Sequence, residues 1–159
     1  MESARRATLD DLDDLEVLAT EGDGHMRALR GGLLWSLTLG HRAPLRDSLA
    51  ARVGDPDQLT LVGCIDDVVV GYGNVRLEPL ADGRPLGVIT ELFVTAAARG
   101  VGVGEVIMDE LVVWCRERGC VGIDAVALPG DRDTKNFFET FGLTARAIVV
   151  HRNLAAPDE

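Results

Sequence analysis

Apolar residues recur at two spacings along this chain, and the switches between them mark out its elements. Ala4 to Ala7 reads as a short first strand. Thr8 then stands as an N-cap, with Asp11 three residues on in an approximate capping box. Leu9, Leu12, Leu15 and Leu18 follow at helical spacing with acids between them, and Gly22 and Gly24 are expected to end that helix. His25 to Leu39 predicts a weaker helix, and Leu45 to Val53 a short one after Pro44. Gly54-Asp55-Pro56-Asp57 is a turn. The period then shortens. Leu59 to Ile65 and Val68 to Leu77 read as strands joined by a tight hairpin at Asp66-Asp67, and Leu86 to Thr95 as another strand.

The helical period returns from about Gly102 to Arg118. Val103, Ile107, Leu111 and Trp114 form the centre of a broad apolar face suited to lying on a sheet. Gly119 is its C-cap. Val121 to Leu128 is mostly apolar and reads as a central strand. Asp131 or Asp133 caps a further helix ending at Gly142. A last strand is expected from Thr144 to Arg152. The order β-α-α-α-β-β-β-α-β-α-β places an antiparallel meander before a β-α-β unit, an α/β (α+β) mixed sheet flanked by helices. No internal repeat or interdomain linker interrupts residues 1–154, which are read as one domain with a tail at 155–159.

Composition narrows the function. A hydrophobic content of 47% over 159 residues predicts a folded globule. No apolar run reaches membrane-spanning length. Arg5 and Arg6 are followed by acids instead of an apolar signal core, so a cytoplasmic protein with no membrane partner is expected. The net charge of −10 argues against nucleic acid as a partner. Cys64, Cys115 and Cys120 form no C-x-x-C pair and read as buried thiols, with no metal site.

The chemistry concentrates between Leu92 and Gly104. A strand ends, a small-residue turn follows, and Gly100, Gly102 and Gly104 open the long helix. The first N–H groups of a helix lack partners within it and carry positive dipole, so a phosphate can approach a glycine backbone there. Arg99 adds a cation. A P-loop would need a Gly-Lys dipeptide, and none is present. A dinucleotide fingerprint started at Gly100 or Gly102 would end on Glu105 or Ile107 instead of glycine.

Arg99, Gly102 and Gly104 instead occupy R-x-x-G-x-G, with Glu91-Leu92-Phe93-Val94 before it and the apolar-periodic helix after it. This segment resembles the acyl-CoA-binding motif of the GNAT superfamily of N-acetyltransferases. Arg6-Ala7-Thr8-Leu9-Asp10-Asp11 resembles the family's opening strand-to-helix junction. Asn136-Phe137-Phe138-Glu139-Thr140-Phe141-Gly142-Leu143 resembles its late segment, usually a Phe-Tyr-Glu run leading into Gly-Phe. The element order agrees, so the resemblance covers nearly the whole chain. Residues 24 to 57 match least, and in this family that region often shapes the acceptor pocket.

The resemblance implies a GNAT fold, a mostly antiparallel sheet of about six to seven strands. It implies acetyl-CoA as co-substrate, with the pyrophosphate on the backbone of Arg99, Gly100, Val101, Gly102, Val103 and Gly104. The pantetheine arm would pair with the main chain of Phe93, Val94 and Thr95, where the fourth and fifth strands splay. The acetyl group would pass directly to a primary amine in a ternary complex. Val94 N–H would serve the oxyanion, and Glu91, its pKa raised toward neutrality by burial, would be the general base. Two positions depart from the family pattern. Phe138 stands where many relatives carry a tyrosine that protonates the leaving thiolate. Asp131 stands where many have an asparagine; it can cap a helix but cannot donate to pantetheine. Glu21 and Asp23 could attract a cationic amine. A homodimer is left open. The rival reading is a catalytically weak acyl-CoA-binding or regulatory domain, kept open by Phe138.

Overall fold

The computed structural model of the chain describes residues 1–155. Strand β1 (Glu2–Arg6) leads into a single turn at Leu9–Asp11 and three helices: α1 (Leu12–Arg27), α2 (Gly32–Thr38) and α3 (Leu45–Gly54). A meander follows, β2 (Gln58–Ile65), β3 (Val68–Pro79) and β4 (Pro85–Val94). Helix α4 (Val103–Glu117), strand β5 (Ile123–Asp124) and helix α5 (Arg132–Thr140) complete the order.

The five strands form one sheet in sequence order, antiparallel from β1 to β4 and parallel between β4 and β5. The β2–β3 hairpin turns on Asp66 and Asp67, both at positive φ (47° and 68°), the mirror-image turn that matches strand twist. Apolar side chains alternate to both faces. On one, α4 buries Val103, Ile107, Leu111 and Trp114 against Leu59, Leu61, Val75 and Ile89. On the other, α1 and α3 bring Leu12, Leu15, Leu18 and Leu49 onto Val62, Cys64 and Tyr72. The α1 entry is fixed by Asp11, which accepts from the Thr8 N–H at 2.8 Å and from both terminal nitrogens of Arg5, each at 2.8 Å.

Four expectations need correction. Helix α1 does not stop at Gly22 and Gly24 but continues to Arg27. Gly22 is buried against the Phe93 ring, so tertiary packing overrides its poor helix propensity. The helix expected from His25 to Leu39 therefore reduces to α2. The strand expected over Val121–Leu128 is only Ile123–Asp124. No strand forms over Thr144–Arg152: Arg146 pairs with Asp124, and Ile148, Val149 and Val150 lie exposed. A neighbour with two ladder residues offers too few hydrogen bonds to hold another strand. The sheet has five strands, fewer than the sequence predicts. Of the expected tail, residues 156–159 lie outside those described.

Candidate active site

Strands β4 and β5 pair only at Gly87 with Ile123 and Val88 with Asp124. Beyond Val88 they part. The gap opens into a cavity of about 660 Å³, bounded by Ile89–Val94, the end of α1, α2, the glycine loop and the start of α5.

The register of β4 shifts here. Asn74 faces Glu91 while Val75 faces Ile89, so Thr90 is the extra residue of a β-bulge. Ile89 and Leu92 consequently share the α4 side, three residues apart, and Thr90 and Glu91 both turn to the α1–α3 side. Thr90 Oγ1 donates to Asn74 Oδ1 at 2.6 Å, and Asn74 Nδ2 donates to Thr60 Oγ1 at 2.8 Å. This row of polar residues crosses three strands inside an otherwise apolar sheet.

Glu91 sits at its end. Arg52 Nη1 donates to Glu91 Oε1 at 3.0 Å and to Thr90 Oγ1 at 3.2 Å. His41 Nε2 lies against the same Oε1, and His41 Nδ1 lies 2.9 Å from Ser48 Oγ. Side chains of His41 and Glu91 are only 10% and 8% exposed, so the contact is shielded from water. Glu91 Oε2 has no hydrogen-bond partner among the described residues. Burial alone would raise the Glu91 carboxyl. The hydrogen bond of His41, the charge of Arg52 and the nearby Tyr72 hydroxyl outweigh burial, and the carboxyl is held below its ordinary value. The expected shift toward neutrality is therefore reversed: the His41 contact and the Arg52 charge together outweigh desolvation. Tyr72 is pushed the other way, well above its ordinary value, by burial and by the Glu91 charge. It is a neutral hydroxyl beside the carboxylate.

The glycine loop lines the same cavity. Gly100 and Gly102 adopt positive φ (82° and 97°), conformations that exclude a Cβ at little cost only for glycine. Gly102 is the N-cap of α4, and no side chain caps that helix end. Its first N–H groups thus remain available to an anion. Arg99 Nε donates to the Val94 carbonyl at 3.0 Å, and its guanidinium stands 5.4 Å from the centroid of the Phe93 ring. The cation is thereby held beside the loop.

Most sequence-selected residues share this cavity: Glu91, Phe93, Val94, Arg99, Gly100, Gly102, Val103, Gly104, Asp131 and Phe138 line it. Thr95 and Val101 do not. The Thr95 N–H is spent on the Val70 carbonyl at 2.9 Å, and its hydroxyl donates to Glu21 at 3.0 Å. Asp131 caps α5, accepting from the Thr134 N–H and hydroxyl, and lies 3.6 Å from His25 of α1. Phe138 is buried in the α4-side core as well as lining the cavity. Glu21 is engaged by Thr95 and Ala96, and Asp23 by Arg27, so the two acids proposed to attract a cation already have partners. Sequence reasoning passed over Arg52 and Ser48 and read His41 as a solvated histidine bracketing the acceptor region, open to a substrate role; all three come from the region that matches no motif, and His41 is buried. The Thr60–Asn74–Thr90 row carried a signal: a polar residue interrupts the apolar run of each of three neighbouring strands.

The family model described as "Acetyltransferase (GNAT) family" matches residues 28–143. No curated protein matches the sequence. Among solved structures, an acetyltransferase of Trypanosoma brucei is similar over 97% of this chain and 100% of its own, with a TM-score of 0.68 and 21% identity. A transcriptional regulator from Bacillus halodurans C-125 covers 97% and 100%, with a TM-score of 0.73 and 20% identity. AAC(6')-Iy, in complex with the bisubstrate analog CoA-S-monomethyl-acetylneamine, covers 98% and 99%, with a TM-score of 0.70 and 16% identity. At these identities the likeness is one of fold.

Proposed function

The chain belongs to the acetyltransferase (GNAT) family, and on that premise we propose that it moves the acetyl group of acetyl-CoA to a primary amine within a ternary complex. One observation carries this reading: the glycine loop and an ionised, incompletely partnered carboxylate line one cavity. The loop and Arg99 suit the phosphates of a CoA molecule. The gap between β4 and β5 suits its extended arm: Phe93 faces Tyr72 within the β3–β4 ladder, and the main chain of Val94 borders the gap. AAC(6')-Iy, of the same fold, is known with a CoA-derived bisubstrate analog, which supports the choice of donor.

Glu91 then receives the amine. Its carboxylate attracts the nitrogen electrostatically, and Oε2 accepts the proton shed after attack, directly or through one water. The low carboxyl pKa suits this task, because the ammonium of the adduct is far more acidic than a free alkylammonium. Val94 N–H serves the oxyanion. The thiolate leaves without a tyrosine proton donor: Phe138 has no hydroxyl, and Tyr72 lies beside Glu91. An alkyl thiolate tolerates this, its acid having a pKa of about 8.5.

Incubation with acetyl-CoA and a panel of amines, following free thiol, tests the reading. Acceptor-dependent release is the expected result. Stabilisation by CoA without turnover on any amine would favour the second reading that Phe138 keeps open, a domain that binds acyl-CoA without fast chemistry. No stabilisation by either would defeat both.

A further inference from the structure

Glu91 places the attacking nitrogen of the acceptor, and the sheet beside it places a second charge. Thr60, Asn74 and Glu91 face one another across β2, β3 and β4, and Gln58, Arg76 and Val88 form the next row. On β2 and β3 two residues separate the rows, about 7 Å, and both rows turn to the α1–α3 side. Glu91, Gln58, Arg76 and Val88 all line the cavity. We infer that the acceptor is an amine whose own carbon frame carries a carboxylate, with the nitrogen at Glu91 and the carboxylate on Arg76; this rests on the acyl-transfer reading above.

Arg76 has donors to give. Its guanidinium makes no hydrogen bond among the described residues, and Glu78 Oε2 stands 4.0 Å from Nη2, outside hydrogen-bond distance. The side chain is 37% exposed, so a ligand in the cavity can reach it.

The acids are accounted for elsewhere. Among the described residues of β2, β3 and β4 that line the cavity, Glu91 is the one acid. Asp23 of α1 lines it too, but Arg27 Nε holds that carboxylate at 2.6 Å. Asp55 takes the Gln58 amide nitrogen at 2.9 Å and does not line the cavity. Glu105, Asp131 and Asp133 belong to the first turns and caps of α4 and α5 instead.

The charges then select the acceptor. Glu91, Arg52 and Arg76 together carry one positive charge, before any on His41 is counted. In its attacking form, with the amine uncharged, an amino carboxylate brings one negative charge to them. A diamine of the same length brings one positive charge and is repelled. A carboxylate also matches the planar fork of a guanidinium, whereas a phosphate would bring more charge than the site offsets. Trp35 of α2 and Val88 give apolar cover to the carbon frame between the two charges.

Three matched series of amines test this: amino carboxylates of increasing length, their carboxamides, and the corresponding diamines, each assayed by thiol release from acetyl-CoA. For the best carboxylate, kcat/KM should exceed that of its carboxamide about tenfold or more, the scale of one hydrogen bond between charged groups, with the diamine lowest. Arg76→Gln should lose most of that ratio through KM for the carboxylate, with KM for acetyl-CoA unchanged. Arg76→Lys should recover part of it. Calorimetry on CoA-saturated protein reads the same contrast without turnover: the carboxylates should bind more tightly than their carboxamides. Wild type that uses or binds carboxamides or diamines as well as carboxylates would overturn the inference. So would a folded Arg76→Gln protein that keeps the full preference. Wild-type protein that releases no thiol with any amine of the three series would instead sink the acyl-transfer reading, and the acceptor assignment with it. Active wild type that is blind to the carboxylate sinks the acceptor assignment alone.

Discussion

Arg52, in the last turn of α3, donates from Nη1 to Oε1 of Glu91 at 3.0 Å and so ties a helix of the acceptor region to the bulge of β4. Against burial, the His41 contact and this pairing together depress the Glu91 carboxyl in the folded state relative to its unfolded value of about 4.3. Its stabilising contribution is therefore complete above that value and is lost as pH falls through the lower folded one. In urea denaturation, wild-type protein should lose stability toward acid pH more steeply than Glu91→Gln. Arg52→Met removes one of the two cationic or hydrogen-bonding nitrogens beside a buried carboxylate, leaving only that of His41, and should cost about 3 kcal/mol near neutrality. It should also shrink the acid loss, because a higher folded pKa narrows the gap to the unfolded value. Equal acid limbs in all three proteins would contradict the pairing.

Gly102 carries a φ of 97° at the head of α4. Gly102→Val should cost about 1–2 kcal/mol through that dihedral alone. It should also abolish the thermal shift given by CoA, because the branched side chain crowds the phosphate cradle. A full CoA shift in the variant would place the phosphates elsewhere.

Arg99 is held by the Val94 carbonyl and the Phe93 ring. Arg99→Ala should weaken CoA about tenfold, the scale of one hydrogen bond to a charged group. Pantetheine, which lacks the pyrophosphate, should bind both proteins alike. Calorimetry with the two ligands checks the contrast, and an equal loss for pantetheine would assign Arg99 a role in shaping the cavity.

Asp11 accepts from Arg5 and from the Thr8 N–H, and its carboxyl is lowered chiefly by the Arg5 hydrogen bond. Asp11→Asn should cost about 1–2 kcal/mol at neutral pH, as loss of a cap does. Because the folded pKa is the lower one, the penalty should shrink as pH falls below the ordinary carboxylate range of about 4. Thermal denaturation at pH 7 and pH 3 measures both.

Cys115 is pushed up to about 12 by burial and by neighbouring Cys120, and burial also raises Cys64. At pH 8 a thiol-reactive chromophore should label Cys120, the partly exposed thiol, and reach the other two only after unfolding. Rapid labelling of all three in the native protein would show the core more open than described.

The geometry of the glycine loop was legible in the sequence because it is main-chain geometry. Gly100 and Gly102 announce dihedrals only glycine holds easily, and the strand before them and helix after them have unmistakable periods. The acceptor half was not. His41, Ser48 and Arg52 lie in a stretch without a motif, and they meet Glu91 through tertiary packing of α3 on the sheet. The fate of Gly22 shows the same limit: a residue that ends helices in isolation is retained where Phe93 packs against it. Thr144–Arg152 reads as a strand from composition, but a strand also needs a neighbour, and Ile123–Asp124 is too short to be one.

The extra residue at Thr90 makes β4 a strand written in two reading frames. Before it, Ile89 belongs to the α4 face; after it, Leu92 does, and the even and odd positions have exchanged meaning. Removing Thr90 would close the bulge and leave the ladder regular, with Ile89 still facing Val75 and Glu91 still facing Asn74. What would be lost is the Thr90 hydroxyl that joins Asn74 to Arg52. A one-residue deletion after the bulge would instead act as a frameshift in space, leaving the later residues of β4 chemically intact and facing the wrong side.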